Sequence, residues 1–324
     1  MSDGTKVNFL VLGAGSIGCR HIRNLQSMGY SGIAAYDVDP YILKSRCAEL
    51  DIGLAENYQS ELGKYDALIV CSPPSSHVDA ALEALRAGKY VFIEKPLSNS
   101  VDDAQRLLDY EDKIMVGYNV RYHPLVAYLE ETLPALGRVF NVQMEFAYDL
   151  ENARPNADYR KGYYAKAGEG GVLLDHIHEM DYAHHLFGRF CSVFCLAEKI
   201  SDLEITSEDN ANLVLKSEHG FPVTLHIDYI QQRYARNIKV VAERGVLSGD
   251  FARGRATLLP NGGDEVVTDF PASFDETYVE EMKDFVALVN GNRTPSITVV
   301  SAMHSLELCE AAHESSRTGC VVNL

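Results

Sequence analysis

Apolar and polar positions change their pattern once along the chain. The first part alternates strand-length apolar runs with helix-length segments. The apolar runs lie at residues 7–12, 32–36, 67–71, 90–93 and 114–116. The helical segments between them lie at residues 17–28, 41–50, 77–87 and 101–110. Apolar strands separated by crossover helices are typical of a parallel sheet covered on both faces. The pattern predicts an N-terminal α/β domain with a doubly wound parallel sheet.

The second part has strands that alternate apolar and polar residues, with Gly- and Pro-containing turns between some of them. These strands are predicted at residues 138–148, 193–199, 211–217, 222–229, 237–242 and 255–259. Helices are predicted at residues 124–133, 174–187, 278–290 and 302–318. A period of two with tight turns favours a mostly antiparallel sheet. The change of pattern near residues 117–121 predicts two domains, 1–120 and 121–324, the second of the α+β class.

The composition is that of a folded protein with a strong negative charge. Of 324 residues, 46% are hydrophobic and 23% are charged, and the net charge is −17. This charge argues against nucleic acid and anionic membranes as partners. No apolar run reaches the roughly 18 residues of a membrane span, and the polar start lacks a signal-peptide pattern, so we expect a cytoplasmic protein. Seven scattered cysteines without a CxxC pair argue against disulfides and thiolate zinc sites.

A glycine-rich turn follows the first predicted strand and opens the first predicted helix, with the pattern G-x-G-x-x-G. The first glycine permits the turn, the second lets the backbone approach a pyrophosphate, and the third packs the helix on the sheet. The helix N-terminus adds unpaired N–H groups that attract phosphates. The motif predicts a Rossmann dinucleotide site at Gly13, Gly15, Ser16, Ile17 and Gly18.

Asp37 follows the second predicted strand, 19 positions beyond Gly18. A carboxylate there accepts hydrogen bonds from the adenosine ribose and repels a 2′-phosphate. It therefore favours NAD as the cofactor over NADP. The alternatives are that Asp37 is a turn or helix-cap residue before Pro40, or that Asp39 takes the ribose role.

Two further motifs follow strands at the sheet edge where ligands of open α/β folds bind. In the segment SPPSSH we expect Ser72, Pro73 and His77 to contact the cofactor, although its serines also suit a helix cap. In the segment EKP we expect the same of Glu94 and Lys95. Alone, EKP is typical of a surface turn. Beside a glycine loop, its ammonium group lies near the nicotinamide, where it orients the ribose or a substrate oxygen.

Taken in order, these motifs resemble the Gfo/Idh/MocA family of sugar and cyclitol oxidoreductases. The resemblance rests on GAGSIG, an Asp after the second strand, SPPSSH, EKP and GGVLLDHIHEMD, and it extends over nearly the whole chain. It implies an open C-terminal sheet of the kind often used in oligomer contacts, so we expect a homo-oligomer. It also implies hydride transfer to or from NAD(P), with Lys95 and the His of the D…H motif as catalytic residues.

The segment of residues 170–181 also supports an acid/base site on its own residues. On the predicted helix, Asp175, His178 and Asp181 are spaced i, i+3 and i+6 and share one face. A His between carboxylates is held in one tautomer and titrates near neutral pH. His178 is therefore predicted to remove the proton of an alcohol as hydride leaves the same carbon. His176 points away from this face by helical geometry and is the weaker candidate.

The chain departs here from the common family pattern, in which the Asp and the His are four residues apart. His178 follows Asp175 by three residues, and Glu179 occupies the fourth position. The H-x-x-D half, from His178 to Asp181, is retained. His178 stays the first candidate for the acid/base and Asp175 a catalytic candidate, while either Asp175 or Asp181 would support the histidine.

The substrate is predicted to lie between the Rossmann sheet edge and this helix. The candidates at the domain junction are Asn119, Arg121 and Tyr122, with Asp181 on the helix. Those of the loop before the glycines are Tyr159, Arg160, Lys161, Tyr163 and Tyr164. Residues 149–166 contain four Lys or Arg against three Asp or Glu. This favours a sugar with a carboxylate, a phosphate or a linked nucleotide, unless the loop is an ordinary solvated one.

The predicted function is NAD-dependent oxidation or reduction of a secondary alcohol on a sugar, a sugar derivative or a cyclitol. Three alternatives stay open: an enzyme that recycles bound NAD during elimination or hydrolysis of a glycoside, a non-catalytic dinucleotide-binding regulator, and a metal enzyme. The metal hypothesis rests on six ligand-type side chains within eleven residues: Asp175, His176, His178, Asp181, His184 and His185. No ligand from another element is recognisable, so we predict no metal.

Overall fold

The structure, a computed structural model, describes residues 7–153 and 158–324. Contacts between Cα atoms divide the chain into two units. The first unit ends at Asn119 and also contains Asp275–Met303, and the second contains Val120–Phe274 and His304–Leu324. The predicted division at residue 120 does not include this return of the chain to the first unit. The periodicity of an amphipathic helix indicates that one face of the helix is buried, but it does not indicate which part of the chain covers that face.

A six-stranded parallel sheet forms the core of the first unit. Its strands are β1 (Phe9–Leu12), β2 (Ile33–Tyr36), β3 (Gly53–Leu54), β4 (Ala67–Val70), β5 (Tyr90–Glu94) and β6 (Ile114–Gly117). They lie in the order β3-β2-β1-β4-β5-β6, and every neighbouring pair is parallel. The predicted doubly wound sheet is confirmed. β3 is the one strand of this sheet that was not predicted, because two residues are too few to show a pattern of apolar and polar positions.

The helices that follow these strands are α1 (Ser16–Ser27), α2 (Pro40–Leu50), α3 (Tyr58–Glu61), α4 (His77–Arg86) and α5 (Val101–Ala104). Four of these helices begin close to their predicted positions, and the short α3 was not predicted. The predicted α-helix over residues 101–110 is shorter than expected, because its second half is part of a 3₁₀ helix, Gln105–Lys113.

β1 and β4 lie side by side where the strand order of the sheet reverses. All four residues of each strand are buried, and Phe9 pairs with Ala67 in register. At such a switch point the loops after the two strands leave a crevice at the carboxyl edge of the sheet. The fold therefore places the turn after β1 where open α/β sheets bind ligands.

A nine-stranded sheet dominates the second unit. Its strands are β7 (Val139–Asp149), β8 (Phe190–Glu198), β9 (Asn210–Ser217), β10 (Pro222–Asp228), β11 (Ile230–Ala242), β12 (Gly245–Asp250), β13 (Arg255–Pro260), β14 (Val266–Asp269) and β15 (Val322–Asn323). Their order is β14-β13-β12-β11-β7-β10-β9-β8-β15, and only β7 and β10 pair in parallel. The mostly antiparallel open sheet is thus confirmed. β12 was not predicted because its two glycines, Gly245 and Gly249, are poor strand formers.

The remaining helices are α6 (Pro124–Thr132), α7 (Leu150–Ala153), α8 (Val172–Asp175), α9 (His178–Phe187), α10 (Asp275–Val289) and α11 (Val299–Thr318). α10 belongs to the first unit, and α11 passes from the first unit to the second after Met303. Among the described residues, no helix combines the length and the apolar character needed to cross a membrane.

The predicted single helix over residues 174–187 is wrong. α8 ends at Asp175 and α9 begins at His178, and His176 between them has φ −104° and ψ 32°. Hydrogen bonds anchor the chain on each side of this break: Asp175 accepts one from Tyr163, and Glu179 pairs with Arg236. These partners lie 12 and 57 residues away in sequence, so helical periodicity does not reveal them.

Candidate active site

The turn after β1 is built so that only glycine fits at two of its positions. A Cβ on Gly18 would lie 1.9 Å from the carbonyl oxygen of Gly13. Gly13 itself has φ +99°, and its Cβ would lie 2.7 Å from the carbonyl oxygen of Cys71. Gly15, in contrast, has nothing within 4 Å of such a Cβ. The turn is therefore packed tightly against the sheet and open at its middle glycine.

The open side of this turn is the N-terminus of α1. Gly15 is the N-cap residue, so the N-cap position offers no side chain to the first N–H groups of the helix. Gly15 and Ser16 are exposed, and Ile17 is half-buried. Uncapped N–H groups beside an exposed glycine fit the phosphates of a dinucleotide, because the backbone can approach them closely.

Asp37 lies directly after β2 and contacts the glycine turn. Its carboxylate accepts hydrogen bonds from the backbone N–H of Ala14 at 2.8 Å and of Asp39 at 2.9 Å. Asp39 instead caps α2 by accepting from the N–H groups of Tyr41 and Ile42. The helix cap that was the alternative role for Asp37 is therefore provided by Asp39.

His77 joins the loops that follow β4 and β5. Its ring nitrogens lie 2.7 Å from the carbonyl oxygen of Ser72 and 2.9 Å from that of Pro96. Burial lowers the pKa of His77, although both carbonyl oxygens oppose this shift. The ring is 1% exposed and acts as a tie between the loops, so its contact with a cofactor stays a prediction. Ser72, which hydrogen-bonds Ser76 at 2.7 Å, is half-buried, and Pro73 is exposed.

Lys95 follows β5 directly and is half-buried, whereas Glu94 before it is buried. Glu94 accepts hydrogen bonds from the backbone N–H of Lys95 at 3.1 Å and from the ring of His21 at 2.6 Å. The loops after β1, β2, β4 and β5 therefore all carry predicted cofactor residues at the carboxyl edge of one parallel sheet. This arrangement fits a dinucleotide.

In the second unit, Arg121 and Asp181 form a nearly buried ion pair. Arg121 donates two hydrogen bonds to the two carboxylate oxygens of Asp181, at 2.8 and 2.6 Å. The side chain of Asp181 is fully buried and that of Arg121 is 11% exposed. Asp181 is three residues beyond His178 in α9, so the pair holds this helix one turn from the half-buried histidine.

Asp175 is held by two tyrosines. It accepts a hydrogen bond from the hydroxyl of Tyr163 at 2.6 Å and one from that of Tyr229 at 3.3 Å. Burial and the Asp175 charge raise the pKa of Tyr229 well above its usual value, so it stays protonated. Because α8 ends at Asp175, the predicted common face with His178 is wrong, and it holds only for His178 and Asp181.

His176 does not point away from these groups, as the continuous helix predicted. Its Nε2 lies 3.5 Å from a carboxylate oxygen of Asp175 and 3.3 Å from the hydroxyl of Tyr148. Its ring also contacts the rings of Phe146 and Tyr229, with centroids 4.3 and 5.4 Å away. The break between α8 and α9 therefore places His176 beside Asp175, Tyr148 and Tyr229 of the second unit.

Glu179 and Arg236 form a buried ion pair that the sequence analysis missed. The guanidinium carbon of Arg236 lies 4.9 to 5.8 Å from four aromatic ring centroids, those of Phe146, Tyr182, Phe251 and Phe274. Burial raises the pKa of Glu179, and the Arg236 charge opposes that rise. The sequence contained one indication that Arg236 is buried: with a period of two along β11, it lies on the same strand face as Ile238 and Val240, which are buried.

In the described part of the predicted substrate loop, Arg160 and Lys161 lie beside acids. Arg160 contacts Asp158 at 2.7 Å and Glu204 at 2.9 Å, and Lys161 lies 4.0 Å from Asp158. The Tyr159 hydroxyl accepts a 3.3 Å hydrogen bond from the Glu204 N–H. Part of this loop, residues 154–157, lies outside the described residues.

Asn119, also predicted to contact substrate, is buried at the end of the first unit. Its amide donates a hydrogen bond to the hydroxyl of Thr277 at 2.7 Å. Thr277 belongs to α10 of the same unit, so Asn119 fastens the returning segment.

Within residues 7–153 and 158–324, the acidic and histidine residues 175–185 do not form a group of three close ligand atoms. His184 instead pairs with His304 at 2.9 Å, and His185 lies 3.5 Å from Glu130. Elsewhere in the described residues, the side chains of His21, Glu94 and Glu281 do bring three ligand atoms within 4.8 Å of one another.

Known proteins resemble this chain over nearly its full length. The family model described as "Oxidoreductase family, NAD-binding Rossmann fold" matches residues 7–122, and the GFO/IDH/MocA C-terminal domain matches residues 134–248. The scyllo-inositol 2-dehydrogenase (NAD(+)) of Bacillus subtilis is 25% identical over 98% of this chain and 96% of its own. The myo-inositol 2-dehydrogenase of Thermotoga maritima is 26% identical over 94% and 95%.

Among solved structures, levoglucosan dehydrogenase in complex with NADH superimposes with a TM-score of 0.86. The alignment covers 98% of both chains at 17% identity, a likeness that shows the fold alone. The two family models match parts of both units, and the glycine turn lies within the residues that the first model matches. The chain therefore belongs to the GFO/IDH/MocA family of oxidoreductases, and its first unit is an NAD-binding Rossmann fold.

Proposed function

We propose that this protein is an NAD-dependent dehydrogenase that interconverts a secondary alcohol and a ketone on an uncharged cyclitol or sugar. One observation carries the proposal: the glycine turn, Asp37 and Lys95 follow strands of one parallel sheet at the same edge. The relatives named as scyllo- and myo-inositol 2-dehydrogenases support the class of reaction.

In this proposal the chain moves a proton and stabilises an oxygen, while the nicotinamide, when bound, accepts or returns the hydride. His178 accepts the hydroxyl proton as the C–H bond breaks, and it returns the proton in the reverse direction. Lys95 donates a hydrogen bond to the same oxygen and stabilises the negative charge that develops there.

The two carboxylates that were candidates to support His178 have other partners in the structure. Both oxygens of Asp181 accept from Arg121, and Asp175 accepts from Tyr163 and Tyr229. We assign Asp181 to holding α9. Asp175 organises the tyrosines, of which Tyr163 is half-buried and has a hydroxyl group suited to a polyol.

The preference for NAD over NADP rests on Asp37 and its surroundings. A 2′-phosphate would meet the Asp37 carboxylate, and the next five residues include no Lys or Arg that would neutralise it. The hydrogen bond from Ala14 holds this carboxylate beside the glycine turn. We therefore expect NADP to bind much more weakly than NAD.

An uncharged substrate is favoured because the predicted anion-binding cations are already paired. Arg121 is bonded to Asp181, and Arg160 is bonded to Asp158 and Glu204. An anionic substrate group would compete with these carboxylates for the guanidinium groups. The excess of basic residues in the loop sequence therefore does not require a charged sugar.

We also propose a cytoplasmic homo-oligomer formed through the exposed face of the nine-stranded sheet. Along β9 every second residue is buried, and the opposite face exposes Val214, which is 48% accessible. Leu196 in β8 and Phe140 in β7 are also exposed, at 53% and 44%. Light scattering after gel filtration tests the oligomer, and a Val214→Glu variant is expected to weaken it.

The function is tested by following NADH formation with scyllo-inositol, myo-inositol and neutral or phosphorylated sugars, with NAD and NADP in parallel. We expect turnover of a neutral polyol with NAD. Lys95→Ala and His178→Ala are each expected to lower kcat by about 10²-fold or more, from loss of oxyanion and acid/base stabilisation.

Matched controls change the same residue types at exposed positions outside the proposed site and interface, Lys64→Ala before β4 and His219→Ala in the turn between β9 and β10, and these should keep full activity. Turnover that strongly prefers NADP would refute the assignment of Asp37. Full activity of Lys95→Ala and His178→Ala would refute the proposed mechanism.

A further inference from the structure

A buried hydrogen-bonded chain connects α1 to the backbone of Lys95. His21 lies in α1, one turn beyond Gly18, and its Nε2 is 2.6 Å from an oxygen of the Glu94 carboxylate. The other oxygen of Glu94 accepts the N–H of Lys95 at 3.1 Å. One carboxylate thus bridges the helix that begins at the glycine turn and the residue we propose as catalytic.

The surroundings make this bridge rigid. The side chain of His21 is fully buried and that of Glu94 is 9% exposed. The His21 ring packs edge-on against Phe92 and Tyr278, with centroids 5.1 and 6.2 Å away. Glu281 of α10 belongs to the same buried cluster. Buried hydrogen bonds are geometrically demanding, because a misplaced donor leaves a charged acceptor without water.

The positions of the atoms define which ring nitrogen carries the proton. The carboxylate of Glu94 accepts hydrogen bonds, so Nε2 of His21 donates to it. Nδ1 of His21 is buried and meets no hydrogen-bond partner among the described residues. An N–H at Nδ1 would be a buried donor without an acceptor, and a bare nitrogen lone pair costs less free energy at this position. A hydrogen on Nε2 satisfies this arrangement.

His21, Glu94 and Glu281 also have the side-chain types of a metal site, with ligand atoms within 4.8 Å of one another. Two ligand atoms bonded to one tetrahedral zinc ion stand roughly 3.3–3.5 Å apart, because each bond is about 2.0–2.2 Å long. The 2.6 Å between His21 Nε2 and Glu94 is the length of a direct hydrogen bond. The geometry therefore favours a shared proton over a metal ion.

We propose that His21 is a positioning residue that holds Lys95 through Glu94 and couples it to the cofactor turn. This inference rests on the proposed function insofar as Lys95 takes part in the reaction. Displacement of a catalytic group by about 1 Å can cost roughly a hundredfold in rate. Loss of the His21 hydrogen bond is therefore expected to lower kcat more than it weakens cofactor binding.

The test compares His21→Leu, which removes the donor, with His21→Gln, whose amide can donate from nearly the position of Nε2. Ile22→Val is the control, because it changes a fully buried residue of the same helix without touching Glu94. Three quantities are measured for each protein. These are kcat with myo-inositol and NAD, the NADH dissociation constant by fluorescence, and the carbon-13 NMR signal of dimethylated Lys95. Loss of a signal in Lys95→Arg assigns it.

We expect His21→Leu to lower kcat about ten- to hundredfold, with the NADH dissociation constant changed less than about threefold. The Lys95 signal should move in His21→Leu and return toward the wild-type position in His21→Gln. Should His21→Leu not fold, Glu94→Gln and His21→Gln provide the same comparison, and Glu94→Gln should also move the signal.

The Lys95 signal and NADH binding do not require turnover, so failure of the proposed substrate is distinguishable from failure of this inference. An unchanged Lys95 signal in His21→Leu and Glu94→Gln would overturn it. So would a loss of NADH binding as large as the loss of kcat. A stoichiometric metal ion in the purified wild-type protein that is lost in His21→Leu would replace it with a metal site.

Discussion

The two units hold their polar side chains in different ways. In the first unit, backbone groups position the cofactor turn, because the Asp37 carboxylate accepts the N–H of Ala14 and Gly18 closes the turn between β1 and α1. In the second unit, side chains hold side chains. Arg121 holds Asp181 in α9, and Tyr163 holds Asp175 at the end of α8, so these two contacts lie on opposite sides of the break between the helices.

This difference predicts how each unit responds to mutation. A backbone-defined site tolerates changes of many side chains but not the addition of a Cβ where two backbone segments touch. A site held by buried ion pairs and hydrogen bonds depends on each partner, because removal of one leaves a buried charge uncompensated. The predictions below test this contrast.

The largest effect is expected for Arg236→Met in the second unit. Removal of the guanidinium leaves Glu179 buried without its cation, which costs about 3–5 kcal/mol in the free energy of unfolding. Urea denaturation at pH 8 measures this loss. The double variant Arg236→Met with Glu179→Met should recover much of it, because two apolar side chains replace the pair.

The loss of stability in Arg236→Met should also depend on pH. Burial already raises the pKa of Glu179, and without the Arg236 charge this pKa rises further. A carboxyl whose folded-state pKa is raised lowers stability progressively as pH rises from its unfolded-state pKa to its folded-state pKa, and this cost is absent below the unfolded-state pKa. The variant should therefore be less destabilised at pH 5 than at pH 8. A pH-independent loss would contradict this account of the pair.

The second prediction concerns two glycines of the cofactor turn. Gly18→Ala places a Cβ 1.9 Å from the carbonyl oxygen of Gly13, so we expect a loss of about 1–3 kcal/mol in stability and loss of NADH binding. Gly15→Ala has open space and φ −71°, so its stability should change by less than about 0.5 kcal/mol. Its NADH binding should nevertheless weaken at least about tenfold, because the methyl group blocks the approach of the pyrophosphate.

Thermal unfolding and NADH fluorescence titration measure the two effects separately. Wild-type NADH affinity in Gly15→Ala would mean that the turn does not approach the phosphates. Equal stability of Gly18→Ala and the wild type would mean that backbone packing does not define the first site.

The same contrast explains what the sequence could predict. The glycine turn and the strands of the first unit were predictable because their signals are local: apolar runs, a fixed glycine spacing and an Asp after the second strand. The break at His176 was not, because the sequence around it has ordinary helical patterning. The residues on both sides of the break, Asp175 and Glu179, contact Tyr163, Tyr229 and Arg236, which are distant in sequence.

The return of Asp275–Met303 to the first unit shows the same limit. Both of its helices were predicted close to their observed bounds, but not the unit that they join. Thr277 meets Asn119 across 158 residues of sequence, a contact that helical periodicity does not encode. Local sequence patterns thus predicted which segments form helices and strands. They did not predict which other segments those helices and strands contact, because these contacts join residues that are distant in sequence.

The third prediction tests the hydrogen bond from Tyr163 to Asp175. Tyr163→Phe removes the 2.6 Å bond but leaves the weaker one from Tyr229, so we expect a loss of about 1–2 kcal/mol in stability. Tyr159→Phe is the matched control in the same loop, and its exposed 3.3 Å contact should contribute less than about 0.5 kcal/mol. Equal effects of the two changes would mean that the Asp175 network does not hold this part of the unit.

The smallest effect is expected for Arg160→Gln, which tests whether the loop cations bind substrate. Arg160 is paired with Asp158 and Glu204 at the surface, so we expect KM for myo-inositol to change less than about twofold, with kcat unchanged. Asp158→Asn frees Arg160 from one partner and should likewise leave KM unchanged for a neutral polyol. A tenfold rise of KM in Arg160→Gln would mean that the guanidinium leaves its acids to bind substrate. The substrate would then carry the anionic group that the loop composition suggested, and the second site would be completed by its ligand rather than by its own side chains.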